Sequence, residues 1–376
     1  MNKNIIFKII LTILISSIFV LLLIEGFYSL YKKSEDHISI TYKIYSNIRD
    51  NDSNLESNFR HKDVVYDQVE LENLINDVKS LDGFMGNTPF SDTFEQTLNS
   101  NESGCYRHKK NIDMKAYFIR TNLYNAFDPV TIWIDNRKLI PSDLMYFLDS
   151  KSNGYSHFTT NDRGLRSTNF NIDHSKNLNI FAGGGAALSS MISDIYTIPY
   201  LMQEYDKDSQ YINASVSSSN FSDVLCNLNQ ELNFYKDFKF GNLILLISDL
   251  DLSKLENSDI VDYLEEINNI KSKYGIEEVI IIYFPYLYTV SPEITVDRKT
   301  NSPGVYFKDA IKKKDFLISN ISKYEFYSID GLSVFLNEIQ KKRSLLDVFD
   351  YYLHHGHPSY KSNALLVDLI IKLVKK

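Results

Sequence analysis

Two short strings hold most of the residues that could bind or transform a ligand. The first is Gly183-Gly184-Gly185-Ala186-Ala187, which follows the apolar run LNIFA and precedes a helix-length segment. Glycines at such a place let backbone N–H groups approach an anion at a helix start, so Gly183, Gly184 and Ala186 are candidate binding residues around Gly185. The string is neither a P-loop, which needs Lys-Ser/Thr where Leu188-Ser189 stands, nor a dinucleotide fingerprint, which needs Gly or Ala at Leu188. A tight strand-to-helix turn needing little side chain explains the same glycines equally well. The second string is His354-His355-Gly356-His357-Pro358. Its spacing matches no usual helical metal pair and no Asp, Glu or Cys sits immediately beside it, so no metal site is expected. Cys105 and Cys226 are the two cysteines of the chain, too few for a thiolate cage. Cys226 lies in the helical string DVLCNLNQEL and reads as a small hydrophobe, so no disulfide to Cys105 is expected. Nothing in these strings calls for a cofactor.

The elements that must position these residues come from the rest of the 376-residue chain. A composition of 44% hydrophobic and 23% charged residues is that of a folded protein and excludes collagen-like or wholly disordered chains. The net charge of −8 argues against a nucleic-acid partner, which demands clustered positive charge. From Ile9 to Ile24 no charge interrupts the run IILTILISSIFVLLLI, long enough to cross a bilayer with Tyr28 and Tyr31 at the far interface. The alternative, a cleaved signal peptide, would have a shorter apolar region and a small-x-small cleavage site, so one uncleaved transmembrane anchor with its amino terminus inside is expected. Residues 1–33 are therefore read as the anchor and 34–60, rich in Ser, Asn, Asp and Glu, as a juxtamembrane linker. Residues 61–170 form an N-terminal extension with one amphipathic helix in DQVELENLINDVKSL and short strands in AYFIRTNLY and VTIWIDNRKLI.

From residue 171 to 376 short apolar runs alternate with amphipathic segments, the signature of βαβ units. The strands read LNIFAG, YINASV, NLILLIS, EEVIIIYFPY and EFYSID. Helices are expected over Ser189 to Tyr205, Ser222 to Phe238, Asp259 to Tyr274, Phe307 to Ser322 and Ser362 to Lys375. Near-continuous Ile/Leu/Val strands belong to a parallel sheet covered on both faces, so a three-layer α/β/α domain with about five strands is predicted. Its ligands would sit beyond the carboxyl ends of the strands.

The order of these segments resembles the SGNH/GDSL hydrolases, in particular membrane-anchored bacterial members with one N-terminal helix, over nearly the whole chain. TTNDRGLRST is similar to the family's Asn-x-x-Gly-Phe/Leu-Arg element, and FAGGGAALSSMISDIYTIPYLMQEY to its Gly-Gly-Ser block and continuation. YINASVSSSNFSDVL stands at the Asn-x-Gly-x-Ser-Gly block, LILLISDLDLSK at Gly-x-Asn-Asp, and HHGHPSYKSNALLVDLI at Asp-x-x-His with its closing helix. Such enzymes attack an ester with a serine activated by histidine and aspartate, while N–H groups and an asparagine hold the oxyanion. The resemblance puts Gly185 at the nucleophile position, Ser215 at the block-two glycine, Leu250 at the asparagine and His354 at the aspartate. Only His357 matches its family residue, and Asp251 keeps the position after the lost asparagine. Losing one oxyanion donor costs ~10²–10³ in rate, and glycine cannot attack.

The resemblance therefore implies an SGNH-like (flavodoxin-like) domain that has lost its acyl-transfer chemistry. It implies a setting on the outer side of a bacterial cytoplasmic membrane, held there by one helix. An envelope glycan or acylated lipid would be the ligand, bound or scaffolded rather than cleaved. The alternative is an active esterase or O-acetyltransferase with a displaced nucleophile. Ser189 or Ser190 one turn further on, or Ser248 or Asp249 paired with His357, are the residues open to that role.

Overall fold

The computed structural model describes residues 105–120, 130–135, 155–168, 173–189, 192–216, 221–290, 303–342, 351–354 and 357–374, with short pieces at 62–63, 76–77, 84–85 and 94–96. The apolar run Ile9–Ile24, the juxtamembrane segment, Ser190 and His355 lie outside the described residues. Among the described residues no helix is long and apolar enough to cross a membrane.

The chain first builds a small, mostly antiparallel unit. It contains β1 (Lys62–Asp63), β2 (Phe84–Met85), β3 (Phe94–Gln96), β4 (Tyr106–His108), β5 (Asp113–Arg120), β6 (Val130–Asp135) and β7 (Tyr155–Thr159). Strand β5 is its hub, pairing antiparallel with β6 and β7 and parallel with β1, while β3 and β4 form a separate pair.

The larger unit follows as β8 (Asn177–Gly183), α1 (Gly185–Leu188), α2 (Ile198–Tyr205), β9 (Ser209–Asn213), α3 (Phe221–Phe234), β10 (Phe240–Ser248) and α4 (Asp249–Ser253). It continues through α5 (Asn257–Tyr274), β11 (Glu278–Phe284), α6 (Leu287–Val290), α7 (Pro303–Ile321), β12 (Tyr327–Asp330), α8 (Gly331–Lys342), β13 (Tyr352–His354), β14 (His357–Pro358) and α9 (Tyr360–Val374). Strands β8 to β12 form one sheet in the order β12-β11-β10-β8-β9, and every pairing is parallel. The expected runs supply these five strands. Residues Leu243–Ser248 and Val279–Phe284 are buried without interruption, as required of strands covered on both faces. Helix α5 packs against both α3 and α7, and α2 packs on α9. The segment expected as one helix from Ser189 is instead a turn, a 3₁₀ turn at Asp194–Tyr196 and then α2, because Pro199 enters in the first helical turn. Helix α8 was not anticipated.

Numbered by position in the chain, this order is 2-1-3-4-5, with its reversal between β8 and β10. A crevice opens at such a switch point beyond the carboxyl ends of the two strands. Gly183–Gly185 and Ser248–Asp251 therefore flank the place where this fold presents a ligand.

The two units are tied by a bond that the sequence reading did not expect. Cys105 and Cys226 form a disulfide with their Cα atoms 5.5 Å apart, joining the start of β4 to the middle of α3. The expectation failed because α3 turns one face toward β4, and that face carries polar partners as well as Cys226. Beside the disulfide, Arg107 donates to Asn227 Oδ1 (3.1 Å) and to Glu231 Oε1 (2.6 Å). Arg163 donates to both carboxylate oxygens of Glu231 (2.9 and 2.7 Å) and stacks 3.4 Å above the Phe234 ring. Glu231 is fully buried, so its charge is supported by two guanidinium groups in place of water.

Candidate active site at the sheet switch point

The segment before β8 prepares the site. In Asn161-Asp162-Arg163-Gly164-Leu165-Arg166, the Asn161 side chain accepts from the backbone N–H of Arg163 (2.9 Å) and Leu165 (3.0 Å), closing a turn. Gly164 has φ +75°, and a Cβ there would lie 2.1 Å from the His108 carbonyl oxygen, so the turn admits only glycine. The turn delivers Arg166 to the edge of the parallel sheet, where it bridges Asn213 of β9.

Arg166 is 1% exposed and organises everything after Gly185. Its guanidinium donates to the carbonyl oxygens of Leu188, Ser189 and Ile192, and to Asp194 Oδ1 at 2.8 Å. Asp194 also accepts from the Thr159 N–H (3.0 Å) and hydroxyl (2.6 Å). Burial pushes the Asp194 carboxyl up and the Arg166 guanidinium down, and their mutual attraction opposes both shifts. Ser189 takes the left-handed conformation, φ 54°. Such a conformation costs a non-glycine residue about 1–3 kcal/mol, and here three supports hold it. They are the Arg166 bond, the Ser189 hydroxyl donating to Ala186 O (3.0 Å), and Asn363 Nδ2 of α9 reaching Ser189 Oγ (3.4 Å) and Tyr196 O (3.0 Å).

The glycine string divides into two kinds of position. A Cβ on Gly183 would lie 2.4 Å from Leu246 O and 2.5 Å from Ala187 Cβ, so the closeness of β8 and β10 excludes a side chain. A Cβ on Gly185 would meet nothing within 4 Å. The tight-turn explanation therefore accounts for Gly183 but not for Gly185, whose side-chain position is open space at the switch point. Gly184 caps α1 without a side-chain bond, and Ala186 is buried. With only four residues, α1 is too short to present much of an N-terminal dipole, which weakens the anion-nest expectation.

Across the crevice the acidic residues are committed to structure. Ser248 caps α4, and Asp251 accepts from its N–H and its hydroxyl, both at 2.7 Å. Burial pushes the Asp251 carboxyl up to about 6. Asp249 accepts from the Tyr286 N–H (2.7 Å) and from the hydroxyls of Tyr283 and Thr289, and burial raises its carboxyl as well. Leu250, between them, is 41% exposed and offers no donor. Ser215 is buried just past β9, with its N–H spent on Asn213 Oδ1 (3.1 Å).

His357 is half-buried on β14, directly opposite His354 in the β13–β14 pair, and β14 packs against α1. The fold thus brings the strand that carries His357 against the short helix that Gly185 opens. Tyr352 of β13 fixes the hairpin by donating to Pro285 O (2.7 Å) at the end of β11. The side chain of His354 is outside the described set. Among the described residues, no group of three His, Cys, Asp or Glu side chains comes together as a metal site would require.

Arg166, Asp194 and Asn363 were not singled out from sequence, although Arg166 ends the Asn-x-x-Gly-x-Arg string. The signal that could have found it is an arginine next to a turn glycine and just ahead of a buried strand, where a cation must be paired.

No family model and no curated protein sequence matches the chain. Among solved structures it is similar to a member of the lipolytic G-D-S-L family from Veillonella parvula, with 9% identity, TM-score 0.40, and 53% of this chain and 98% of the other covered. A lipase/acylhydrolase from Enterococcus faecalis gives 17% identity, TM-score 0.37, and coverage of 53% and 95%. A catalytic mutant of an acetylxylan esterase from Geobacillus stearothermophilus gives 11% identity, TM-score 0.39, and coverage of 54% and 95%. At identities this low, what the chain can do is decided by the residues at its own sheet edge.

Proposed function

We propose that the chain is a membrane-tethered, catalytically degenerate SGNH/GDSL-like domain of the bacterial cell envelope, facing the outer side of the cytoplasmic membrane. It would bind or scaffold an acylated glycan or lipid without cleaving it. The observation that carries this reading is Gly185, an open position at the strand end where acyl transfer would need a hydroxyl, on a short helix that packs against the strand of His357. Further support comes from the nearby serines. The Ser189 hydroxyl donates to the Ala186 carbonyl and the Ser248 hydroxyl to the Asp251 carboxylate, so both are engaged by near neighbours in the chain rather than directed at an imidazole. Leu250 in place of a donor removes a second requirement of the chemistry. The anchor is supported by the uncharged run Ile9–Ile24.

The test is turnover of p-nitrophenyl acetate by the full-length chain in detergent, beside a His357→Ala variant. The reading predicts equal, background rates. Wild-type turnover at least tenfold above the variant would reject degeneracy and leave the envelope location standing.

A further inference from the structure

The disulfide sits at an instructive place. The chain has two cysteines in 376 residues, and both are consumed in one bond that spans 121 residues. The bond adjoins the buried Arg107–Glu231–Arg163 cluster, so it locks an interface that is already specific. Its two ends differ. Cys105, just before β4, is 1% exposed, whereas Cys226 is half-exposed on α3. Of the two sulfurs, the one on α3 is therefore the one that an outside disulfide can reach, while the one before β4 is closed off by packing.

We infer that this chain is the substrate of a disulfide-donating oxidase, a partner protein carrying an oxidised dithiol, and that Cys226 is the cysteine that carries the mixed disulfide. In the first step the Cys226 thiolate attacks the partner's disulfide. One S–S bond of the partner breaks, a Cys226–partner bond forms, and a partner thiolate leaves. In the second step the Cys105 thiolate attacks the Cys226 sulfur, forming the native bond and releasing the partner as a dithiol. Two thiols of this chain lose two protons and two electrons, and the partner's disulfide gains them. Such transfer takes place where thiols are not kept reduced, outside the cytosol. With Ile9–Ile24 read as the anchor, it sets the amino terminus inside and residues 105–376 outside. The inference does not depend on whether the domain is degenerate.

The test uses the full chain expressed in cells with an oxidising envelope, quenched in acid and tagged with a thiol-reactive mass label. Wild type is expected to take no label until reduced and two labels afterwards. Cys105→Ala is expected to accumulate a reductant-sensitive adduct with a dithiol protein, at least fivefold more than Cys226→Ala. These readouts act on the chain whether or not the variants fold. Two free thiols in the wild type would overturn the inference. Adducts equal in both variants, or greater in Cys226→Ala, would overturn the assignment of Cys226.

Discussion

The loop after Gly185 and the point of Gly185 itself make an informative pair. The loop is over-supported: Arg166, Asp194, Thr159 and Asn363 converge on it, and Arg166 and Asn363 hold Ser189 in a left-handed conformation. The point they support has no side chain, and open space surrounds it. Buried ion pairs are costly to assemble and strongly destabilising to break, whereas an exposed position in open space is nearly free to change. Geometry around a strand-end loop and the chemistry of its tip can therefore vary independently. The same contrast recurs across the crevice, where Asp249 and Asp251 are fully bonded while Leu250 between them faces outward.

The contrast can be broken at several strengths. The largest effect is expected from the covalent tie. Replacing Cys226 by Ala opens a loop of 121 residues. Chain entropy alone assigns closure of such a loop about 4–5 kcal/mol, visible as a lowered denaturant midpoint that reductant reproduces in the wild type. Next is Arg166→Ala, which leaves Asp194 buried and unpaired and should cost about 3–5 kcal/mol by denaturant unfolding. A loss under 1 kcal/mol would mean that the loop does not depend on Arg166.

Asp251 gives a pH dependence of known sign. Its folded pKa is raised to about 6 by burial, so the folded chain retains a proton that the unfolded chain gives up near pH 4. Stability from this group is highest below about pH 4 and declines as pH rises to about 6, by roughly 3 kcal/mol in all. Asp251→Asn stays neutral while keeping an acceptor for Ser248, so its stability should decline less over that interval. Parallel curves for the two proteins would remove Asp251 as the cause. The smallest effect is expected at the open position: Gly185→Ala should change stability by no more than about 0.5 kcal/mol, since the added Cβ meets nothing within 4 Å. A large loss there would show that the glycine is a structural necessity like Gly183.

Much of this was readable before the structure. Strands such as NLILLIS and EEVIIIYFPY announce themselves because burial on both faces demands an unbroken apolar run, and the five strands fix the sheet. The family resemblance also drew attention to Gly185 and His357, and the helix and strand that carry them pack together. It could not separate Gly183 from Gly185, because the distinction lies in how closely Leu246 of the neighbouring strand approaches. Nor could it pair Cys105 with Cys226, since the pairing follows from which face of α3 meets β4. Arg166 was hidden for a similar reason, as an arginine followed by polar residues reads as surface until its carbonyl partners are seen.

The central claim, that no hydroxyl at this sheet edge is a nucleophile, is tested most directly by exposing the full-length chain to a fluorophosphonate probe and mapping adducts by mass spectrometry. The account predicts no modified serine. Stoichiometric labelling of Ser189, Ser190 or Ser248, lost in His357→Ala, would contradict it and establish a working hydrolase with a displaced nucleophile.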